Sequence, residues 1–165
     1  MNVMNVYEPV GDRPTMPIAA DPRLSARVSG GSMFTLRKSG ARPISFSGRQ
    51  LGFQSNYRMG TPLWHELNLY QTEDGRFVAD IRVFQKGEGA RDQFHVAVVD
   101  SLDEALAFFE GYDPRMDLTA GFSLDDPDLS PAELIVHAAK LKYEINETVN
   151  QYKAVLSAFL HELNG

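Results

Sequence analysis

The chain has no cysteine among its 165 residues. Disulfides, thiol nucleophiles and thiolate metal sites are thereby excluded. Long apolar runs are missing too, and nothing approaches the roughly 18–20 residues that a membrane-spanning helix needs. Met1 to Pro9 has neither a basic region nor an apolar stretch behind it, so it does not read as a signal peptide. These absences lead to the expectation of a soluble, cytoplasmic protein with no membrane partner.

Chemical motifs are equally scarce. The four histidines, His65, His95, His137 and His161, show neither H-x-x-x-H nor H-E-x-x-H spacing. Asp125-Asp126-Pro127-Asp128 lacks the glycine and distal glutamate of a calcium loop. There is no G-x-S-x-G, and no serine adjoins a histidine. Ser29-Gly30-Gly31-Ser32 is glycine-rich, but it has no phosphate-loop lysine and no helix pattern after it. The expectation is therefore no catalytic residue, no cofactor and no metal, in a protein that is non-enzymatic.

Net charge is −6 and unevenly placed. Met1 to Arg49 holds seven Lys/Arg and three Asp/Glu, whereas Gln50 onward holds nine and nineteen. A basic leading part on an acidic remainder suits a polyanion or the acidic surface of a neighbour. Arg37, Lys38, Arg42 and Arg49, beside Phe34 and Phe46, are the candidate contacts for nucleic acid or an acidic partner. The acidic body opposes a polyanion.

The strongest positive signal is the end of the chain. Ser130, Pro131 and Glu133 form a capping box with proline at the first helical position. No Gly or Pro interrupts Ala132 to Asn164. Leu134, Ala138, Leu141, Ile145, Val149, Tyr152, Leu156, Phe159 and Leu163 fall on one helical face, and Thr148 weakens the matching heptad seam. A helix of that span is roughly 50 Å long, while a body of about 70 residues is only ~25–30 Å across. Its apolar face should overhang its own domain and mark an oligomer interface, with a homodimer as the first partner. A helix hairpin broken near Asn146-Glu147-Thr148 is the alternative.

Between the ends, Pro43 to Pro114 reads as an α+β body. Ile44-Ser45-Phe46 and Leu51-Gly52-Phe53 alternate as strands around a turn at Ser47-Gly48-Arg49. Leu63–Thr72 and Arg76–Gln85 flank an Asp74-Gly75 hairpin turn, and Gln93–Val99 is a further strand. Ser101 caps a short helix that runs to Glu110. The fold class is α+β: an antiparallel meander of about four to five strands followed by a short helix. To it are added an extended basic arm at 1–42, an acidic linker at 115–130 and the long helix at 131–163.

Alternation places Phe77, Ala79, Ile81 and Val83 on the core side with Phe94, Val96 and Val98. Trp64, Glu66, Arg82 and His95 fall on the other side, as a candidate contact face for a ligand. Part of the body is distantly similar to WGR-type domains. The matching residues are Trp64-His65-Glu66-Leu67, Asp74-Gly75-Arg76-Phe77, Lys86-Gly87-Glu88-Gly89 and Leu102-Asp103-Glu104-Ala105. The Trp-Gly-Arg signature itself is replaced by Phe84-Gln85-Lys86, so the resemblance implies only strand–turn–strand–helix order.

The leading functional reading is a homo-oligomeric assembly or adaptor module working through protein–protein contact. A nucleic-acid binder using the basic residues, and a small enzyme or ligand carrier using the polar sheet face, are the alternatives.

Overall fold

The computed structural model describes residues 31–165. The stretch of the basic arm before that lies outside the described residues. Five strands form one antiparallel sheet in sequential order: β1 (Ser32–Leu36), β2 (Ile44–Ser55), β3 (Leu63–Thr72), β4 (Phe77–Gln85) and β5 (Gln93–Val99). Helix α1 (Leu102–Glu110), a 3-10 turn (Pro114–Asp117) and helix α2 (Pro131–Asn164) follow. The fold class is thus the expected one, and the strands curl into a half-barrel. Ser32–Leu36, legible in the sequence as a short strand within the arm, belongs to the sheet of the body, because β1 pairs with β2 from Ser32↔Gly48 to Leu36↔Ile44.

β2 is one strand of 12 residues, not two strands around a turn. Its centre is bent, with a register shift between Gln50 and Gly52 where it crosses β3. A bulge of this kind sharpens local twist and bends the strand. Gly48 sits in the bend against β3, where a Cβ would lie 2.1 Å from the Gln71 carbonyl oxygen. Glycine is there to let two backbones meet, not to turn the chain. The β1–β2 hairpin consequently folds across the concave side. Its tip docks on β5, where the Ser39 N–H donates to the Phe94 carbonyl at 2.9 Å and the Phe94 N–H to Ser39 Oγ at 2.8 Å.

Two apolar clusters result. Outside the half-barrel, Leu67, Leu69, Ala79, Ile81 and Val83 pack against Ala105 and Phe109 of α1 and Tyr152, Val155 and Phe159 of α2. Inside it, Leu36, Tyr70, Val78 and Val96 meet Phe34, Ile44 and Phe46. The strand pair Ile81↔His95 puts His95 on the helix side and Phe94 and Val96 inside, reversing the expected facing of β5. The sheet has an apolar cluster on each side, so the apolar set of β5 can join either, and periodicity alone does not say which. The pair Ala79↔Ala97 leaves the helix side shallow enough for α1 to lie close.

Helix α2 is continuous through Thr148, and its capping box is formed by reciprocal bonds between Ser130 and Glu133. Its buried residues, Tyr152, Val155 and Phe159, all lie in its second half. Gly52 faces this end. A Cβ at that position would lie 2.9 Å from Leu163 Cδ2, so the missing side chain lets β2 approach the helix. The Tyr152 hydroxyl donates to the Phe109 carbonyl at 2.7 Å. Glu162 accepts from the Phe53 N–H at 3.3 Å and from Gln54 Nε2 at 3.2 Å.

Between sheet and helix lies a polar knot. His65 on β3 and Asp117 of the 3-10 turn are both 2% exposed at their side chains, with His65 Nε2 2.7 Å from Asp117 Oδ2. The Tyr112 hydroxyl donates to both Asp117 oxygens at 2.6 and 2.7 Å. Burial, followed by the bond to Asp117, pushes the Tyr112 phenol well above its ordinary range, so it stays a donor. The His65 ring stands edge-on to Tyr112 and Tyr152, and Gln85 Nε2 donates to the Asp117 carbonyl at 3.3 Å.

Asp117→Ala leaves His65 and the Tyr112 hydroxyl without their shared acceptor. Each buried polar group so stranded costs about 1–3 kcal/mol, which corresponds to a melting temperature lower by roughly 5–15 °C. Calorimetry should show that drop, with partial recovery in Asp117→Asn, whose carbonyl still accepts. Equal melting of Asp117→Ala and wild type would contradict this role for the knot.

Candidate functional site

Two surfaces are left over once the cores are assigned. The first is the mouth of the half-barrel. The pairs Trp64↔Phe84, Glu66↔Arg82 and Asn68↔Asp80 step inward along β3 and β4 on the concave side. The structure therefore brings Trp64, Glu66 and Arg82 together as expected, and sends His95 to the opposite face.

Below the mouth the groups are charged yet enclosed. Asp80 is 1% exposed and Asn68 2%. Arg82 Nε donates to Asp80 Oδ2 at 2.9 Å, and Gln50 Nε2 donates to Asn68 Oδ1 at 2.8 Å. Asp80 Oδ1 and Asn68 Nδ2 have no hydrogen-bond partner among the described residues. Burial raises the Asp80 carboxyl above its ordinary value despite the guanidinium beside it. Burial also raises Glu66, with Arg82 opposing and the Asp80 charge adding. Burial works against the Arg82 charge, but Asp80, Tyr70 and Glu66 together hold it firmly protonated.

At the rim the residues are aromatic. Trp64 stacks on Phe84 at 5.4 Å between centroids, Tyr57 meets Trp64 edge-on at 4.7 Å, and Phe84 meets Phe94 at 6.1 Å. Lys86 Nζ lies 5.5 Å from the Trp64 ring and 5.9 Å from that of Tyr57. Arg37, at the start of the hairpin tip, sits 4.4 Å over Phe94. Of the basic residues marked in the sequence, Arg37 thus reaches this rim. Arg49 donates instead to Gln71 at 3.0 Å on the neighbouring strand. Lys38 and Arg42 are exposed in the tip.

The second surface is the first half of α2. Of the apolar stripe marked in the sequence, Tyr152, Leu156, Phe159 and Leu163 pack into the protein's own core. Tyr152 and Phe159, at 3% and 0% exposure, are not available to a partner. Leu134, Leu141, Ile145 and Val149 are half-buried and Ala138 is exposed. The linker covers part of this side. Phe122 stacks on His137 at 5.3 Å, beside a cleft of about 290 Å³ that also touches Lys140, Leu141 and Glu144.

The other side of the same segment carries Ile135, Val136 and Tyr143, which are 70%, 66% and 67% exposed. In the periodicity this second line reads as Val136, Tyr143 and Ala154, opposite the first, and Ala154 is exposed as well. The enclosed floor of Asp80 and Asn68 gives no signal in the sequence, because polar residues alternate on a solvated face just as they do here.

Among the described residues, no group of three His, Asp or Glu is placed to hold a metal, and no helix is long and apolar enough to cross a membrane. No protein-family model matches the chain, and no curated protein or solved structure matches it.

The raised Asp80 carboxyl gives a signed pH dependence. An acid held above its ordinary value binds its proton more tightly in the fold than in the unfolded chain. It therefore adds stability as pH falls from the raised value toward the ordinary range near ~4. Asp80→Asn removes that titration. The unfolding free energy of wild type minus that of Asp80→Asn should rise from about pH 7 to about pH 4.5, as followed by urea denaturation. A flat or falling difference would contradict a buried carboxyl at this position.

Proposed function

We propose that this protein is a self-associating module in which α2 joins two copies and the half-barrels are carried on either side. The observation behind this reading is the double apolar character of the free half of α2. A helix that is apolar on two sides is a helix meant to be enclosed. One side, at Leu134, Leu141 and Ile145, has the linker beside it. The far side, at Ile135, Val136 and Tyr143, has nothing over it among the described residues. Burying each of those large side chains stabilises by about 1.5–3 kcal/mol.

Past Asn146 the far side loses its large apolar residues, with Asn150, Lys153, Ala154, Ser157 and His161 in the corresponding positions. The apolar double face is thus confined to the half that leaves the sheet. A core-packing explanation accounts for the second half of the helix but not for this.

The free half also suits its own copy. Between Pro131 and Glu147 it carries Lys140 and Lys142 with Glu133, Glu144 and Glu147, close to neutral against a strongly acidic remainder. An antiparallel pairing centred near Lys142 brings Lys140 of one copy toward Glu144 of the other. Exposed pairs of this kind contribute little energy but help to set register.

Light scattering coupled to gel filtration should find a dimer at micromolar concentration. The double substitution Ile135→Asp with Tyr143→Asp should give a monomer with an unchanged far-ultraviolet dichroism spectrum, since both positions are exposed and away from either core. A wild type that remains strictly monomeric at about 100 μM, where even weak transient interfaces register, would overturn the proposal.

A further inference from the structure

The mouth of the half-barrel is not used by the association just described. Its rim is a continuous row of rings: Tyr57, Trp64, Phe84 and Phe94, at successive centroid separations of 4.7, 5.4 and 6.1 Å. A cation stands at each end, Lys86 over Tyr57 and Trp64 and Arg37 over Phe94. Tyr57 is 48% exposed, whereas Phe94 is only 9% exposed. Trp64 and Phe84 are half-buried, so the row is open at its outer end and seated at its inner end.

We propose that this rim binds single-stranded nucleic acid, with bases stacking at the Tyr57–Trp64 end and phosphates meeting Lys86 and the hairpin tip. Three observations converge on that occupant. Rings joined in a row offer sequence-tolerant stacking, which suits a flexible strand of planar bases. The cations are placed at the ring row itself, where phosphates linking stacked bases would lie. The hairpin tip extends the same charge: from Arg37 to Pro43 it carries Arg37, Lys38 and Arg42 and no carboxylate. Together these place a concentrated basic edge at one opening of an acidic protein.

Two carboxylates of the mouth are engaged, Asp80 enclosed and bonded to Arg82 and Glu66 accepting from Ser55 at 3.4 Å beside the same arginine. Glu88 and Asp92, in the loop after Lys86, keep their charge, so the hairpin tip supplies most of the positive field. A duplex is a poorer fit than a single strand, because its bases are already stacked and offer the rings no faces.

Trp64 is the sole tryptophan and reports directly on the rim. The experiment is a titration of the full chain at low salt with oligothymidylate of about twelve nucleotides, and in parallel with oligouridylate. Trp64 emission should quench on binding to at least one of them, and the tighter of the two identifies the polymer. Tyr57→Ala and Lys86→Ala should each weaken binding on the order of ten-fold with unchanged circular dichroism. Lys86→Ala should also lower the slope of log affinity against log salt by about one. Absence of quenching and of binding with both oligonucleotides would overturn the proposal. So would binding that Tyr57→Ala and Lys86→Ala leave unchanged, including binding lost only on Arg42→Ala.

Discussion

The bond between His65 and Asp117, shared with the Tyr112 hydroxyl, is the constraint from which the rest of the architecture follows. It ties the 3-10 turn to the third strand at 2.7 Å in a place where neither side chain sees water. A buried pair of this kind adds little net energy over an apolar replacement, but breaking it is costly. Its consequence here is positional. The turn cannot move away from β3, so the linker leaves from a fixed point and α2 returns along a fixed line. Tyr152 closes the arrangement by packing on the His65 ring and donating to the end of α1. The second half of α2 is held to the sheet, and an uninterrupted helix must then carry its first half away from that contact.

The half-barrel shows a second consequence of enclosing polar groups. Its inner floor holds Asp80, Arg82 and Asn68 under the β1–β2 hairpin, and the tip of the hairpin is fastened by the two bonds between Ser39 and Phe94. An apolar aromatic triangle of Phe34, Phe46 and Tyr70, with rings 4.8 to 5.6 Å apart, supplies the packing that holds the roof down. The charged floor and the aromatic rim are therefore adjacent layers of one opening.

Much of this frame is legible in local sequence. Ser130-Pro131 and Glu133 fix the start of α2 because capping chemistry is local, and Asp74-Gly75 fixes the β3–β4 hairpin because Gly75 takes a φ of 87°. The features that escape a sequence reading are those decided at a distance. Gly48 reads as a turn residue, yet it is a contact point with Gln71, which lies on another strand. His95 reads as sharing a face with Glu66 because the apolar set of β5 is taken to join the helix-side core, and only the pairing with Ile81 orients it. His65 and Asp117 are 52 residues apart, with no spacing rule to connect them. The apolar stripe of α2 is legible as a stripe, but which part a partner could use depends on where the sheet stops. Of the site, the aromatic and basic residues are individually visible. Their alignment into a row depends on the hairpin folding over to bring Arg37 to Phe94.

Helix α2 thus has two unlike halves, one tied to the sheet and one with exposed apolar residues that the proposed pairing of two copies would cover. Amide hydrogen exchange along α2, measured at two protein concentrations, tests this most directly. Amides after about Val149 should exchange only with global unfolding and be indifferent to concentration. Those before it should exchange faster in dilute solution and become protected as concentration rises. Protection that is uniform along the helix and independent of concentration would contradict the central claim.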